Sequence, residues 1–271
     1  MREYVRQRIT DCGEYARVQL YPVRPVSRKR GAKRQPTSAI QERLNAQNSA
    51  HRLTDLIHTN FTPDDVALHL TYSDSRKPAT VKEAQRLCYN YMRRLARLWS
   101  RKTERNRAAF RWIIVTEQSA SGRIHHHAIL SGGLTIEELS DKWGLGHTAT
   151  RVLEYDECGL IGLAAYITKS RTSYRRWQAS KNLKKPDVRE NDYRIRKKDV
   201  RYIRENPQDE WFVAQMHEGY AVCPGSICVQ DEGTLGGLFV SYMLYREDNG
   251  MFYHDRNGIL HQKRRRVCKQ G

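Results

Sequence analysis

Arg111 to Ser131 reads RWIIVTEQSASGRIHHHAILS, and no other stretch of the chain limits the fold so narrowly. Two apolar, β-branched runs, Trp112 to Thr116 and Ile124 to Leu130, flank a polar, glycine-containing turn at Ser119 to Gly122, which is the pattern of a hairpin. Alternate side chains of an extended strand share a face, so His125 and His127 point one way and His126 points the other. Two imidazoles spaced in this way make a pair of metal ligands. Glu117, at the end of the partner strand, supplies a carboxylate as the third. Two nitrogens, one carboxylate and open positions suit a divalent ion with catalytic work better than a closed structural site. A histidine taken singly is more often a surface or satisfied core residue, so the rest of the chain has to carry weight.

The charge does so. With 48 Lys and Arg against 30 Asp and Glu, the net charge of +18 calls for a polyanionic partner, most simply nucleic acid. A length of 271 residues allows one large domain, or one domain with substantial extensions. No apolar run approaches the ~20 residues of a membrane span. The start, MREYVRQRIT, lacks the apolar core of a signal peptide, so the expectation is a cytoplasmic protein with no membrane partner. Cys12, Cys88, Cys158, Cys223, Cys228 and Cys268 are scattered and read as reduced thiols, without a structural zinc.

Taken in order, Met1 to Tyr21 alternates as a strand or hairpin, and Val23 to Pro36 is a basic linker. Ser38 and Gln41 stand in capping-box spacing at the start of a helix that carries Ile40, Leu44, Leu53, Leu56 and Ile57. Asp65 to Tyr72 alternates as a strand, with Val66, Leu68 and Leu70 on one face and Ala67, His69 and Thr71 on the other. Thr80 to Trp99 is an amphipathic helix whose polar face carries Lys82, Arg86, Arg93, Arg94 and Arg97. After the hairpin, Thr135 caps a short helix to Trp143, and His147 to Tyr155 is a further strand. The order strand, helix, strand, strand, helix, strand predicts a ferredoxin-like (split βαβ) α+β domain, its antiparallel sheet carrying helices on one face. The other face is then free to hold His125, His127 and Glu117.

Gly159 to Ser170 reads as the next helix, and Tyr166 and Lys169 share one side of it. A tyrosine beside a lysine can act as a nucleophile whose developing phenolate the ammonium stabilises. Near a divalent metal, its electrophile would be a phosphodiester. Ser170 to Lys198 is the most basic stretch. Arg171, Arg175, Arg176, Lys181, Lys184 and Lys185 interleave with Tyr174, Trp177 and Tyr193, as in grooves that bind single-stranded DNA, and Asn182 belongs to the same predicted DNA-binding set. Lys198 to Glu205 is helical, Ser226 to Gln230 and Leu238 to Tyr245 form a hairpin, and KRRRVCK from Lys263 is a basic tail. No P-loop motif occurs in these residues, so the expectation is that no helicase is fused and that unwinding falls to a host enzyme or to supercoiling.

LHLTY (Leu68 to Tyr72), GRIHHHAIL (Gly122 to Leu130) with Glu117 upstream, and YITK (Tyr166 to Lys169) together resemble the HUH endonucleases. Within these they resemble the rolling-circle replication initiators, or Rep proteins, related to the filamentous phage gene II protein. Ser180 to Leu183 is similar to a further block of that group. The resemblance implies that Glu117, His125 and His127 bind Mg²⁺ or Mn²⁺, that Tyr166 is the nucleophile and that Lys169 assists it, with Tyr174 as a candidate second tyrosine. It covers roughly Asp65 to Pro186 and implies the HUH type of ferredoxin-like fold; the predicted domains are an N-terminal extension with a helix (1–60), a nuclease core with the basic DNA-binding segment (61–206) and a C-terminal hairpin extension with the basic tail (207–271). Its partners would be single-stranded or supercoiled DNA at a replication origin, with a host helicase and polymerase, in a bacterial cytoplasm. An HUH transposase or relaxase is the nearest alternative, although relaxases carry a third histidine that the sequence does not show. A non-catalytic single-stranded DNA- or RNA-binding regulator on the same fold is the alternative of another class.

Overall fold

The computed structural model describes residues 4–23, 39–119, 121–153, 159–160, 177–232, 237–247, 252–254 and 260–262. It is a mixed α+β structure with antiparallel sheets. In chain order the elements are β1 (Tyr4–Asp11), β2 (Tyr15–Val23), α1 (Ala39–Asn60), β3 (Val66–Thr71), α2 (Val81–Thr103), β4 (Trp112–Gln118), β5 (Ile124–Leu130), α3 (Ile136–Trp143) and β6 (Thr148–Val152). They continue with β7 (Gln178–Ala179), β8 (Asp187–Asn191), α4 (Lys197–Glu205), α5 (Glu210–Ala214), β9 (Tyr220–Val222), β10 (Cys228–Glu232), β11 (Gly237–Arg246), β12 (Phe252–His254) and β13 (Leu260–Gln262). The chain divides into one unit of residues 47–155 and 160–185 and another of residues 1–46, 156–159 and 186–271.

The first of these units is built on a five-stranded antiparallel sheet in the order β6-β3-β5-β4-β7. The hairpin forms as its sequence pattern dictates: β4 and β5 pair from Trp112 with Leu130 to Gln118 with Ile124, and Gly122 (φ 76°) supplies the left-handed residue of the turn. β4 runs through Gln118, so Glu117 lies within the strand. Helix α2 crosses from β3 to β4, and β5 lies between those two strands. Leu68, Leu70, Ile114, Ala128 and Leu130 turn their side chains to one face, against Cys88, Tyr91, Met92, Leu95 and Trp99 of α2 and Leu139 and Trp143 of α3. Burying a side chain of this size contributes about 1.5–3 kcal/mol, so this face secures the layer.

Local signals set the ends of the two helices. The Thr80 hydroxyl accepts from the Glu83 amide at 3.1 Å, and the Glu83 carboxylate accepts from the Ala79 amide at 2.9 Å. Thr135 and Glu138 form a full capping box, and Gly144 (φ 60°) ends α3. Where β5 exits, Gly132 lies so close to the preceding loop that a Cβ there would sit 1.9 Å from the Asp64 carbonyl oxygen. The Gly132 amide donates to Asp65 at 2.9 Å, and its carbonyl accepts from the Trp99 indole at 2.8 Å.

The other unit holds a sheet in the order β10-β11-β2-β1-β8, with β9 paired to β11. The N-terminal and C-terminal hairpins read from the sequence thus share one sheet. Ala16, Val18, Leu20, Val240 and Leu244 face Ile195 together with Val200 and Ile203 of α4 and Val213 of α5. Within this core His217 and the Tyr242 hydroxyl are hydrogen-bonded at 2.8 Å. The basic linker, the Ser38–Gln41 cap, the helix read beyond Leu160 and the tail from Lys263 lie outside the described residues and side chains.

Candidate metal centre

Strand parity and pairing bring four donor side chains together on the sheet face opposite α2 and α3. His69 of β3 is directly across from His127 of β5, and His125 of β5 is directly across from Glu117 of β4. The His69 and His127 rings stack with centroids 4.8 Å apart, and the His125 ring stands edge-on to both, at 5.2 and 5.3 Å. One nitrogen from each of the three imidazoles lies within 4.8 Å of the others. Glu117 Oε2 is 2.9 Å from His125 Nε2 and 3.4 Å from His127 Nε2. The sequence pattern therefore found two of three imidazoles. The third is His69, which strand alternation puts on the polar face of β3 and to which the sequence pattern assigns no role. What was missing is that β3 lies beside β5, which puts Ala67, His69 and Thr71 on the same side as His125 and His127.

The electrostatics keep two of the imidazoles unprotonated. Burial, with the neighbouring His69, holds the His127 pKa down to about 4, against the opposing pull of Glu117. The His69 pKa is lowered too, first by burial and then by His125. Both rings are neutral at pH 7 and keep a lone pair to donate. Glu117 Oε1 is buried and has no hydrogen-bond partner among the described residues. A buried carboxylate oxygen without a partner costs free energy that a bound cation would remove, so the donor set fits a divalent metal.

His126 is the contrasting case. It is fully buried on the helix-covered face, with Nδ1 2.9 Å from the Thr116 hydroxyl and Nε2 2.8 Å from the Tyr72 hydroxyl. Tyr72 also donates to the Ala84 carbonyl at 3.3 Å. The consistent assignment is Thr116 donating to Nδ1 and Nε2–H donating to Tyr72. Burial pushes the His126 pKa down to about 3. This ring is a satisfied core histidine, as strand alternation predicts.

Tyr166, Lys169, Arg171, Tyr174, Arg175 and Arg176 lie outside the described residues. The rest of the basic block is anchored along the edge of β4. β7 pairs with β4, and Ser180 exchanges two hydrogen bonds with the Trp112 backbone, at 2.9 and 3.1 Å. Asn182 donates to the carbonyls of Ala108 and Phe110, and so positions backbone. Asn60, at the end of α1, clasps the Lys184 amide and carbonyl at 2.7 and 2.8 Å. With the backbone held, Lys181, Lys184 and Lys185 are exposed and Trp177 is half-buried.

No curated protein and no solved structure matches the chain. Residues 65–171 match the family model of the replication-associated proteins of the ORF2/gene II protein type, a stretch that takes in His69, Glu117, His125 and His127 and includes Tyr166 and Lys169.

Proposed function

From the premise that residues 65–171 are a replication-associated domain like those of the ORF2/gene II protein family, we propose that this chain is a rolling-circle replication initiator of the HUH type. It nicks one DNA strand at a specific site and rejoins it. The observation that carries this reading is the cluster of three imidazoles and one carboxylate on the sheet face opposite α2 and α3, within the matched stretch. The strand order β6-β3-β5-β4, with α2 and α3 on one face, fits the ferredoxin-like split βαβ arrangement of such nucleases.

His69, His125, His127 and Glu117 would hold the metal. When bound, a divalent ion supplies Lewis acidity to a non-bridging phosphate oxygen. The third imidazole tilts the expected ion from Mg²⁺ toward Mn²⁺, because nitrogen donors bind first-row transition ions more strongly and Mg²⁺ prefers oxygen. The phenol oxygen of Tyr166 attacks phosphorus, forming a 5′-phosphotyrosine bond as the bond to the 3′-oxygen breaks. The phenolic proton leaves, and the 3′-oxygen takes up a proton to become the hydroxyl that primes synthesis. Lys169 stabilises the phenolate. The reverse reaction reseals the strand. Lys181, Lys184 and Lys185, with Trp177 and the Arg171, Arg175 and Arg176 of the same basic block, would bind the single strand at the origin, and Asn182 would serve by holding their backbone in place. A host helicase and polymerase in a bacterial cytoplasm would complete the reaction.

Incubating the protein with supercoiled DNA of its own element tests this. Open circles and a protein–DNA adduct should form with Mn²⁺, vanish with EDTA, and be lost in Tyr166→Phe with DNA binding retained. A Tyr166→Phe variant that behaves like the wild type would point to a non-catalytic binding module. A relaxase or transposase would form the same adduct on the transfer origin or element end, and not on a replication origin.

A further inference from the structure

We propose that the outer face of α2 is a second DNA surface that holds the phosphate backbone of a duplex, a role beyond the nicking chemistry and independent of it. The helix carries seven basic residues and a single acidic one, Glu83, which is engaged at its N-terminus. Of the seven, Arg94 donates to the Lys142 carbonyl and Lys102 pairs with Glu138. Lys82, Arg86, Arg93, Arg97 and Arg101 are all exposed and make no ion pair or hydrogen bond among the described residues.

Their spacing makes a row. At about 100° per residue these five positions fall within a sector of about 100°, directly opposite Ala84, Cys88, Tyr91, Met92, Leu95 and Trp99, which face the sheet. At 1.5 Å per residue the row is about 28 Å long, close to one turn of B-DNA. It therefore looks away from His69, His125 and His127, which stand on the far side of the sheet. A strand whose phosphate reaches those imidazoles does not touch this row, so the row serves a different DNA segment.

The chemistry selects a duplex. Single strands are held by aromatic platforms interleaved with cations. The one aromatic side chain in this row, Tyr89, is spent edge-on against Trp112, with centroids 5.9 Å apart. A straight row of exposed cations with no aromatic ring free to stack on bases matches the dense, regularly spaced phosphate charge of duplex DNA.

Fluorescence anisotropy of the full chain on a short duplex of arbitrary sequence and on a single strand, across a salt series, tests the proposal. The exposed triple variant R86Q/R93Q/R97Q should lower the slope of log affinity against log salt for the duplex by roughly 2.7, at about 0.9 per lost phosphate contact. Single-strand affinity and nicking of a single-stranded origin oligonucleotide should stay unchanged. The variant K197Q/K198Q/R201Q in α4, which removes equal charge elsewhere, should leave the duplex slope near the wild-type value. An unchanged duplex slope, an equal fall in both triple variants, or an equal loss on single strands would each overturn the proposal. A wild-type protein that fails to nick would refute the nuclease reading and leave the duplex slope as a separate test.

Discussion

Replacing Glu117 by Gln should make the metal-free protein more stable and the metal-bound protein less so. In the free protein, one carboxylate oxygen touches two imidazoles at 2.9 and 3.4 Å, and the other is buried without a partner among the described residues. An unsatisfied buried polar atom costs about 1–3 kcal/mol, and more when it belongs to a charged group. The amide of Gln keeps an acceptor for the imidazoles and removes the buried charge, so a gain of about 1 kcal/mol is expected in EDTA. For a unit of this size that is a rise in Tm of roughly 4 °C. Metal reverses the order. With free Mn²⁺ at about 100-fold its Kd, the wild type gains about 2.7 kcal/mol by mass action, and Glu117→Gln should lose most of that gain. Thermal unfolding of both proteins in EDTA and in Mn²⁺ gives all four numbers. A variant that is less stable in EDTA, or that keeps the full metal-induced rise, would refute the reasoning.

His69→Ala should weaken Mn²⁺ binding, measured by calorimetry, as severely as His125→Ala does, because each removes one of three converging nitrogens. Gly132→Ala should destabilise the unit by about 1–3 kcal/mol or more in urea unfolding, because the new Cβ overlaps the Asp64 carbonyl oxygen at 1.9 Å. His217 is held at a pKa of about 4, by burial first and Arg194 second. The unfolded chain, with a histidine pKa near 6.5, takes the proton first, so this stability is complete above about pH 6.5 and is lost as pH falls toward 4. The loss at pH 5 is about 2 kcal/mol, and His217→Phe should flatten the stability profile between pH 7 and 5 by that amount, at the cost of an unpaired Tyr242 hydroxyl at pH 7.

The hairpin was legible because its signals are local. The β-branched runs, the glycine turn and the alternation of His125, His126 and His127 fix strand, turn and faces without reference to the rest of the chain. Thr80 and Thr135 likewise mark the helix starts through caps written within four residues. His69 was not legible as a donor, because its partners depend on β3 settling beside β5, across more than fifty residues. β8, Asp187 to Asn191, carries one apolar residue and is exposed throughout, so no alternation announces it. Its place comes from pairing with β1 at the opposite end of the sequence. β9 is three residues long, below what periodicity can detect. The need for glycine at position 132 is likewise a tertiary fact, set by the path of Asp64.

The position of β5 between β3 and β4 bears on how this protein matures. The hairpin alone brings together His125, His127 and Glu117, a half-formed grip that local pairing can assemble within microseconds. The last nitrogen arrives only when β3 closes a far longer loop and docks on the exposed edge of β5. An ion held by all four donors would therefore require β3 to be docked on β5, whereas the hairpin by itself offers only three of them.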